Sequence, residues 1–181
     1  MYKNRPPHLY LDKTFYFLTA RTYQKQEIFD SDDKKMLMQN SLKAEFQSGG
    51  HLLKAEFQSG GYKLMSWVVL SNHYHILLQV KNSKTISKRI NYLHGRTSYL
   101  LNKKDNRKGR KVFQNYWDYC IRNEADYWKH FNYIHYNPVK HGLTKEPGSY
   151  RYSSYNFWIK NKGREWMVSC FESYPIIDFT P

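Results

Sequence analysis

The sequence predicts an α+β fold, a ferredoxin-like antiparallel sheet with helices on one face, and three observations predict it. Segments rich in aromatic and β-branched residues alternate with amphipathic ones in the order β-α-β-β-α-β-α. The length of 181 residues suits one domain with its own core and is short for two. Hydrophobic residues make up 40% and aromatics 18%, with 17 tyrosines, enough to fill that core. We therefore expect a single domain over residues 1–181, with a C-terminal tail from about residue 156.

The elements follow in chain order. "TFYFLTARTY", from Thr14, has the aromatic and β-branched content of a first strand. "SDDKKMLMQNSLKAEFQ" begins with a cap-like Ser31 and two acids, then spaces its apolar residues as an amphipathic helix does. "YKLMSWVVLS" and "HYHILLQV" read as two strands, with Ser71 and Asn72 as the tight antiparallel turn between them. In "TISKRINYLHGRTSYLL" the residues Ile86, Ile90, Leu93, Thr97 and Leu100 or Leu101 recur at helical spacing. "KVFQNYWDYCIR" alternates like a strand, and "EADYWKHFNYIHYNPVKHG" reads as a helix broken near Pro138.

A tandem duplication interrupts this pattern: "LKAEFQSGGHL" at 42–52 is followed at once by "LKAEFQSGGYK" at 53–63. Three helical turns need about 10.8 residues, so the insert roughly keeps the helical phase. Gly49-Gly50 breaks the helix, however, and the expectation is that one copy is helical while the other loops out. Two copies are too few for a solenoid, so the repeat over 42–63 is read as a local duplication with little functional meaning.

Charge narrows the partners. Lys plus Arg number 29 against 15 Asp plus Glu, a net +14, and a field of that sign favours a polyanion, most simply nucleic acid. Lys103, Lys104, Arg107, Lys108, Arg110 and Lys111, in "NKKDNRKGRK", are the phosphate-binding candidates, against the plainer reading of a solvated basic loop. Tyr92, Tyr99, Tyr116, Trp117 and Tyr119 offer stacking surfaces beside the basic runs, although most aromatics in a small domain are core. No apolar run approaches about 18 residues and the N-terminus has no apolar signal core, so no membrane role is expected. Cys120 and Cys170 lack the spacing of a zinc site or a disulfide framework. The expected location is cytoplasmic.

The chemistry concentrates in two stretches. In "SNHYHILLQV" alternate side chains share a strand face, so His73 and His75 lie together, about 7 Å apart along the strand, opposite the apolar Tyr74, Ile76, Leu78 and Val80. Both imidazoles are close enough to reach one ion; the competing reading is two polar residues on a half-exposed strand. In "HFNYIHYNPVKHG" Tyr133 and Asn137 are four apart and share a helix side. Asn137 precedes Pro138, which points to an accessible helix end. Tyr136 and His130 also lie within reach, and spacing alone does not choose between the two tyrosines. A helix whose tyrosines simply pack on the sheet explains the same residues.

"NHYHILL" followed, after a basic helix and an aromatic strand, by "YIHYNPVKHGL" resembles the HUH single-tyrosine transposases, and within them the REP-associated tyrosine transposase group. The resemblance runs from the first strand to about Tyr155, and its specificity lies in the ordered pair of motifs. It implies His73, His75 and Asn137 as ligands of Mg²⁺ or Mn²⁺, Tyr133 as nucleophile, and single-stranded or hairpin DNA as partner. It implies an enzyme that nicks and rejoins DNA through a 5′-phosphotyrosine, working as a monomer or a homodimer. The duplication departs from the family, and Asn137 stands where related insertion-sequence transposases commonly have Gln. The rivals are a catalytically decayed DNA-hairpin-binding protein, and a replication initiator or relaxase, against which the short chain argues.

The chemistry suits the residues. A bound metal neutralises phosphate charge and polarises P–O bonds, and a tyrosine oxygen that attacks there keeps the phosphodiester energy for rejoining.

Overall fold

Strands β1 (Thr14–Thr22), β2 (Tyr62–Val69), β3 (His73–Val80) and β4 (Phe113–Cys120) form one antiparallel sheet in the order β2-β3-β1-β4. The structure is a computed structural model, and it describes residues 11–46, 61–176 and 179. Helices α1 (Asp32–Phe46) and α2 (Ile86–Lys104) cross between strands, and α3 (Glu124–Lys140), α4 (Tyr155–Lys162) and α5 (Arg164–Ser173) follow the sheet. This is the expected split arrangement, with the two strands most central, β1 and β3, the most apolar.

The register of β1 on β3 fixes which residues share a face: Thr19 lies opposite His75, Phe17 opposite Leu77 and Arg21 opposite His73. Neighbouring residues on β3 then point to opposite layers. Tyr74 meets His94 of α2, its hydroxyl 2.8 Å from His94 Nε2. His75 meets Tyr133 of α3, ring centroids 5.4 Å apart. The helices expected on one face are thus α1 and α2, and α3 adds a second layer on the other. A sheet with apolar residues on both faces requires that cover: Phe17 and Leu77 on the α3 side, like Leu18 and Ile76 on the other, are at most 1% exposed. Each such side chain contributes about 1.5–3 kcal/mol by leaving water.

α2 buries Ile86, Ile90, Leu93, Thr97 and Leu101 as one stripe; of the two leucines that spacing left open, Leu101 faces the core. The described part of the first duplicate copy, Leu42 to Phe46, is the last turn of α1, with Leu42 and Phe46 buried. Residues 47–60, which hold the rest of that copy and most of the second, lie outside the described residues, and with them the expectation of a looped copy. Tyr62 and Lys63, the end of the second copy, open β2.

α3 departs from its expected course. It is not broken near Pro138 but continues to Lys140, with Pro138 in its last turn. There the missing N–H costs one hydrogen bond near an end that is closed by other means. His141 N–H bonds to Asn137 O at 3.0 Å, Gly142 N–H to Val139 O at 2.9 Å and Leu143 N–H to Pro138 O at 2.9 Å. Gly142 makes the turn at φ +68°. Asn123 caps the start, its side chain accepting from Asp126 N–H.

The stretch expected as a tail contains α4 and α5, which pack on the outer side of α3. Asn132 donates to the carbonyls of Cys170 and Tyr174 at 2.7 and 2.8 Å, and Phe131 and Trp128 meet Trp158 and Trp166. Sandwiched between sheet and C-terminal helices, α3 is buried without interruption from His130 to His135. Among the described residues no helix is long and apolar enough to cross a membrane.

Candidate active site

β3 and α3 bring the two sequence-distant stretches together. His73 and His75 lie on the α3 face of β3 with ring centroids 5.0 Å apart. Tyr133 packs edge-on against His75, and Asn137, one helical turn further along α3, lies beside His73. The tyrosine that spacing could not choose is distinguished by direction: Tyr136 instead lines a surface pocket with Pro147, Tyr155 and Phe171.

The expectation of an accessible helix end does not hold. Asn137 is fully buried and Tyr133 is 3% exposed, because the helix runs on past Pro138 and is covered on both sides. Tyr133 is ringed by Phe17, His75 and Phe179, with Lys140 Nζ 5.2 Å from its ring centre, and its hydroxyl donates to Phe179 O over a long 3.4 Å.

Burial sets the protonation of the imidazoles. His73 falls from its ordinary value to about 4, chiefly through desolvation and then through the neighbouring His141, with Asn137 acting the other way. His75 lies well below the ordinary value, again chiefly through desolvation and then through His73. Both are neutral near pH 7 and keep a lone pair for a ligand.

Their partners decide which nitrogen holds that lone pair. Asn72 Oδ1 lies 2.6 Å from His73 Nδ1 and, as a carbonyl oxygen, accepts; His73 therefore carries its proton on Nδ1 and its lone pair on Nε2. Thr19 Oγ1 lies 2.7 Å from His75 Nδ1, and with that hydroxyl accepting, Nε2 is the lone-pair nitrogen there too. His75 Nε2 and both polar atoms of Asn137 are buried without a hydrogen-bond partner. Asn137 is near enough to His73 to act on its protonation, yet the contact lacks the geometry of an ordinary hydrogen bond.

Two neutral imidazoles and an amide oxygen, with buried atoms left unsatisfied, fit a divalent ion, and His73, His75 and Asn137 could hold one. Among the described residues no group of three or more His, Cys, Asp or Glu side chains could do so. Thr19, and for Asn72 any role beyond the turn, escaped the sequence reading. Asn72 adjoins His73 in the chain and was visible in principle; Thr19 depends on the β1–β3 register, which no local pattern carries.

The basic candidates gather at the end of α2 and the loop after it. Lys103, Lys104, Arg107, Lys108 and Lys111 are exposed, and Arg110 is half-buried. Lys104 pairs with Asp33 at 2.9 Å, Arg110 with Asp105 at 2.7 Å, and Lys111 lies over the Tyr23 ring. Tyr23 N–H bonds to Val112 O and Thr22 N–H to Asn72 O, so this loop flanks the end of the sheet that carries His73.

In fold the chain is similar to a solved REP-associated tyrosine transposase bound to a REP hairpin, with a TM-score of 0.66 at 19% identity, covering 100% of this chain and 94% of that one. The two share an architecture built on one antiparallel sheet. By sequence the chain belongs to the family described as Transposase IS200 like, which it matches over residues 17–137. A Haemophilus influenzae protein named among the REP-associated tyrosine transposases is 33% identical over 102 residues, 51% of this chain and 58% of the relative. The Escherichia coli REP-associated tyrosine transposase is 26% identical over 116 residues, 64% of this chain and 67% of its own length.

Proposed function

We propose that this chain is a metal-dependent DNA transposase that nicks and rejoins single-stranded or hairpin DNA, with Tyr133 as nucleophile. The observation that carries the reading is convergence: His75 and Tyr133, 58 positions apart in the chain, meet at 5.4 Å, with Asn137 and His73 completing the group. The hairpin bound by the structural relative is the kind of DNA we extend to this chain. A net charge of +14 and the exposed lysines of the loop flanking the His73 end of the sheet suit such a polyanion.

His73, His75 and Asn137 would hold Mg²⁺ or Mn²⁺, which supplies charge neutralisation at the scissile phosphate. The Tyr133 oxygen, having lost its proton, attacks phosphorus. A tyrosine–phosphorus bond forms, the bond to the 3′ oxygen breaks, and that oxygen takes a proton to leave as a 3′-hydroxyl. Attack by a 3′-hydroxyl on the phosphotyrosine reverses the sequence and joins strands. Thr19 and Asn72 hold the two imidazole rings in place.

The test is a covalent adduct between protein and a hairpin oligonucleotide with single-stranded flanks, with Mn²⁺ or Mg²⁺ present. Tyr133→Phe removes the adduct while keeping the ring and its packing, and Tyr136→Phe retains it. An adduct that persists in Tyr133→Phe and disappears in Tyr136→Phe reassigns the nucleophile. Hairpin binding by a parent protein that forms no adduct favours a binding protein that has lost catalysis.

A further inference from the structure

Two cations from different elements bracket the histidine pair. Arg21 of β1 lies opposite His73 in the β1–β3 register, and so shares a sheet face with Thr19 and both imidazoles. Lys140 follows Asn137 by three residues and Tyr133 by seven, which puts it on their side of α3. Its Nζ lies 5.2 Å from the Tyr133 ring centre. Arg21, Lys140 and the neighbouring His141 each act electrostatically on His73 and on His75. Positive charge thus reaches the group from the sheet beside His73 and from the helix beside Tyr133.

A second observation sets Arg21 apart. Other cations of the fold meet carboxylates: Arg89 pairs with Glu45, Arg110 with Asp105, Lys104 with Asp33, and Lys34 with Asp30 and Asp105. Arg21 is half-buried, and among the described residues its side chain has neither an ion pair nor a hydrogen bond. A guanidinium carries five donors in a planar fork that fits two oxygens of one phosphate. Drawing it part-way out of water with those donors unused costs free energy that an anionic occupant recovers.

We propose that Arg21 and Lys140 clamp the non-bridging oxygens of the scissile phosphate and are catalytic residues beside Tyr133, an assignment that rests on the transposase reading for the phosphate it names. In the attack the bond from the Tyr133 oxygen to phosphorus forms and the bond to the 3′ oxygen breaks. The clamp makes and breaks no bond. It neutralises the negative charge that gathers on the phosphoryl oxygens between those two events.

The experiment replaces each phosphate in the single-stranded flank of a hairpin oligonucleotide in turn with an uncharged methylphosphonate, and measures binding of the full chain without divalent ion. The parent is expected to lose affinity several-fold at one position above the others. Arg21→Gln or Lys140→Gln narrows that difference and the double variant abolishes it, because the removed charges were partners. With Mn²⁺ and saturating hairpin, the adduct maps to the same phosphate. Each single variant forms it about a hundredfold more slowly, the worth of one donor aimed at the reacting oxygens. Arg21→Lys, which keeps a charge but loses the fork, recovers part of that rate.

If every position treats the double variant as it treats the parent, or if neither substitution slows the adduct at saturation, the clamp is overturned, while an adduct through Tyr133 leaves the transposase reading standing. An adduct at a phosphate other than the charge-sensitive one overturns the clamp as well. A charge-sensitive position that depends on Arg21 and Lys140 in a protein that forms no adduct has the opposite meaning: the phosphate site holds and the catalytic reading falls. Should Arg21→Gln fail to fold, Lys140→Gln decides, and an unchanged binding pattern and rate overturn the pair.

Discussion

The two faces of β3 treat their ring side chains differently. On the α2 side Tyr74 and His94 settle each other: hydroxyl meets Nε2 at 2.8 Å, and the His94 ring stacks on Phe113 at 4.0 Å. On the α3 side, one residue along, His75 has only its Nδ1 engaged, by Thr19, while Nε2 and the amide of Asn137 stay buried and unpaired. The Tyr74–His94 pair is finished by folding. The His75 group is positioned by folding but left with unpaired polar atoms, which suits the proposed metal site.

Breaking the incomplete face has the largest expected effect. His75→Ala removes a proposed ligand, and metal-dependent cleavage should fall more than about a hundredfold, since even groups behind a ligand are worth roughly 10- to 100-fold. Hairpin binding should stay near the parental level, because phosphate contacts supply most of it. Adduct yield and a gel-shift titration read the two separately, and equal loss in both would mean that His75 serves the fold.

Thr19→Val tests the support behind the ligand. It keeps the shape but loses the oxygen that orients His75, and Mn²⁺ affinity by calorimetry should weaken roughly 10- to 100-fold, with about 1–3 kcal/mol of stability lost because His75 Nδ1 is left buried without a partner.

On the finished face the effect should appear in stability instead. Tyr74→Phe strands His94 Nε2 in the core and should cost about 1–3 kcal/mol in denaturant unfolding, with cleavage intact at low temperature. Acid tests the same burial. His94 is held down to about 4 and His135 to about 3, both chiefly by desolvation. The unfolded chain therefore takes up these protons first, near pH 6.5. Stability is complete above that value and falls as pH drops toward 4 for His94 and 3 for His135, by about 1.4 kcal/mol per unit per histidine. His94→Gln should flatten the upper part of a plot of melting temperature against pH; an unchanged slope would remove His94 as a source.

The smallest effect on stability sharpens the comparison most. Asn137→Leu replaces an amide with no partner by an apolar side chain of similar size, and should leave the metal-free protein as stable or about 1 kcal/mol more so, while abolishing cleavage. A loss of stability would show that Asn137 is already satisfied within the fold.

Much of this was legible in the chain. The period-2 pattern of "HYHILLQV" put His73 and His75 on one face and Tyr74 and Ile76 on the other, as found, because strand alternation is a local geometric rule. The stripe of α2 was equally local, down to a choice between Leu100 and Leu101 that only the core could make. The ordered pair of stretches around His73 and Tyr133 pointed to the family. What misled was the proline: Pro138 argues for a break, but one lost hydrogen bond in a last turn is cheap against the packing that holds the helix there.

The sequence by itself determined the element order as far as α3, the charge and which side chains are candidates for the chemistry, since these depend on composition and on neighbours a few residues away. Only the tertiary structure decided that Tyr133 rather than Tyr136 faces His75, that Thr19 stands behind that ring, that Asn137 is sealed from solvent, and that Phe179 lies on His130. Each of these is a meeting of distant segments. Strand register, the layer a helix covers and the path of the C-terminal segment are fixed by how whole elements exclude water together, and no short stretch of the chain records that.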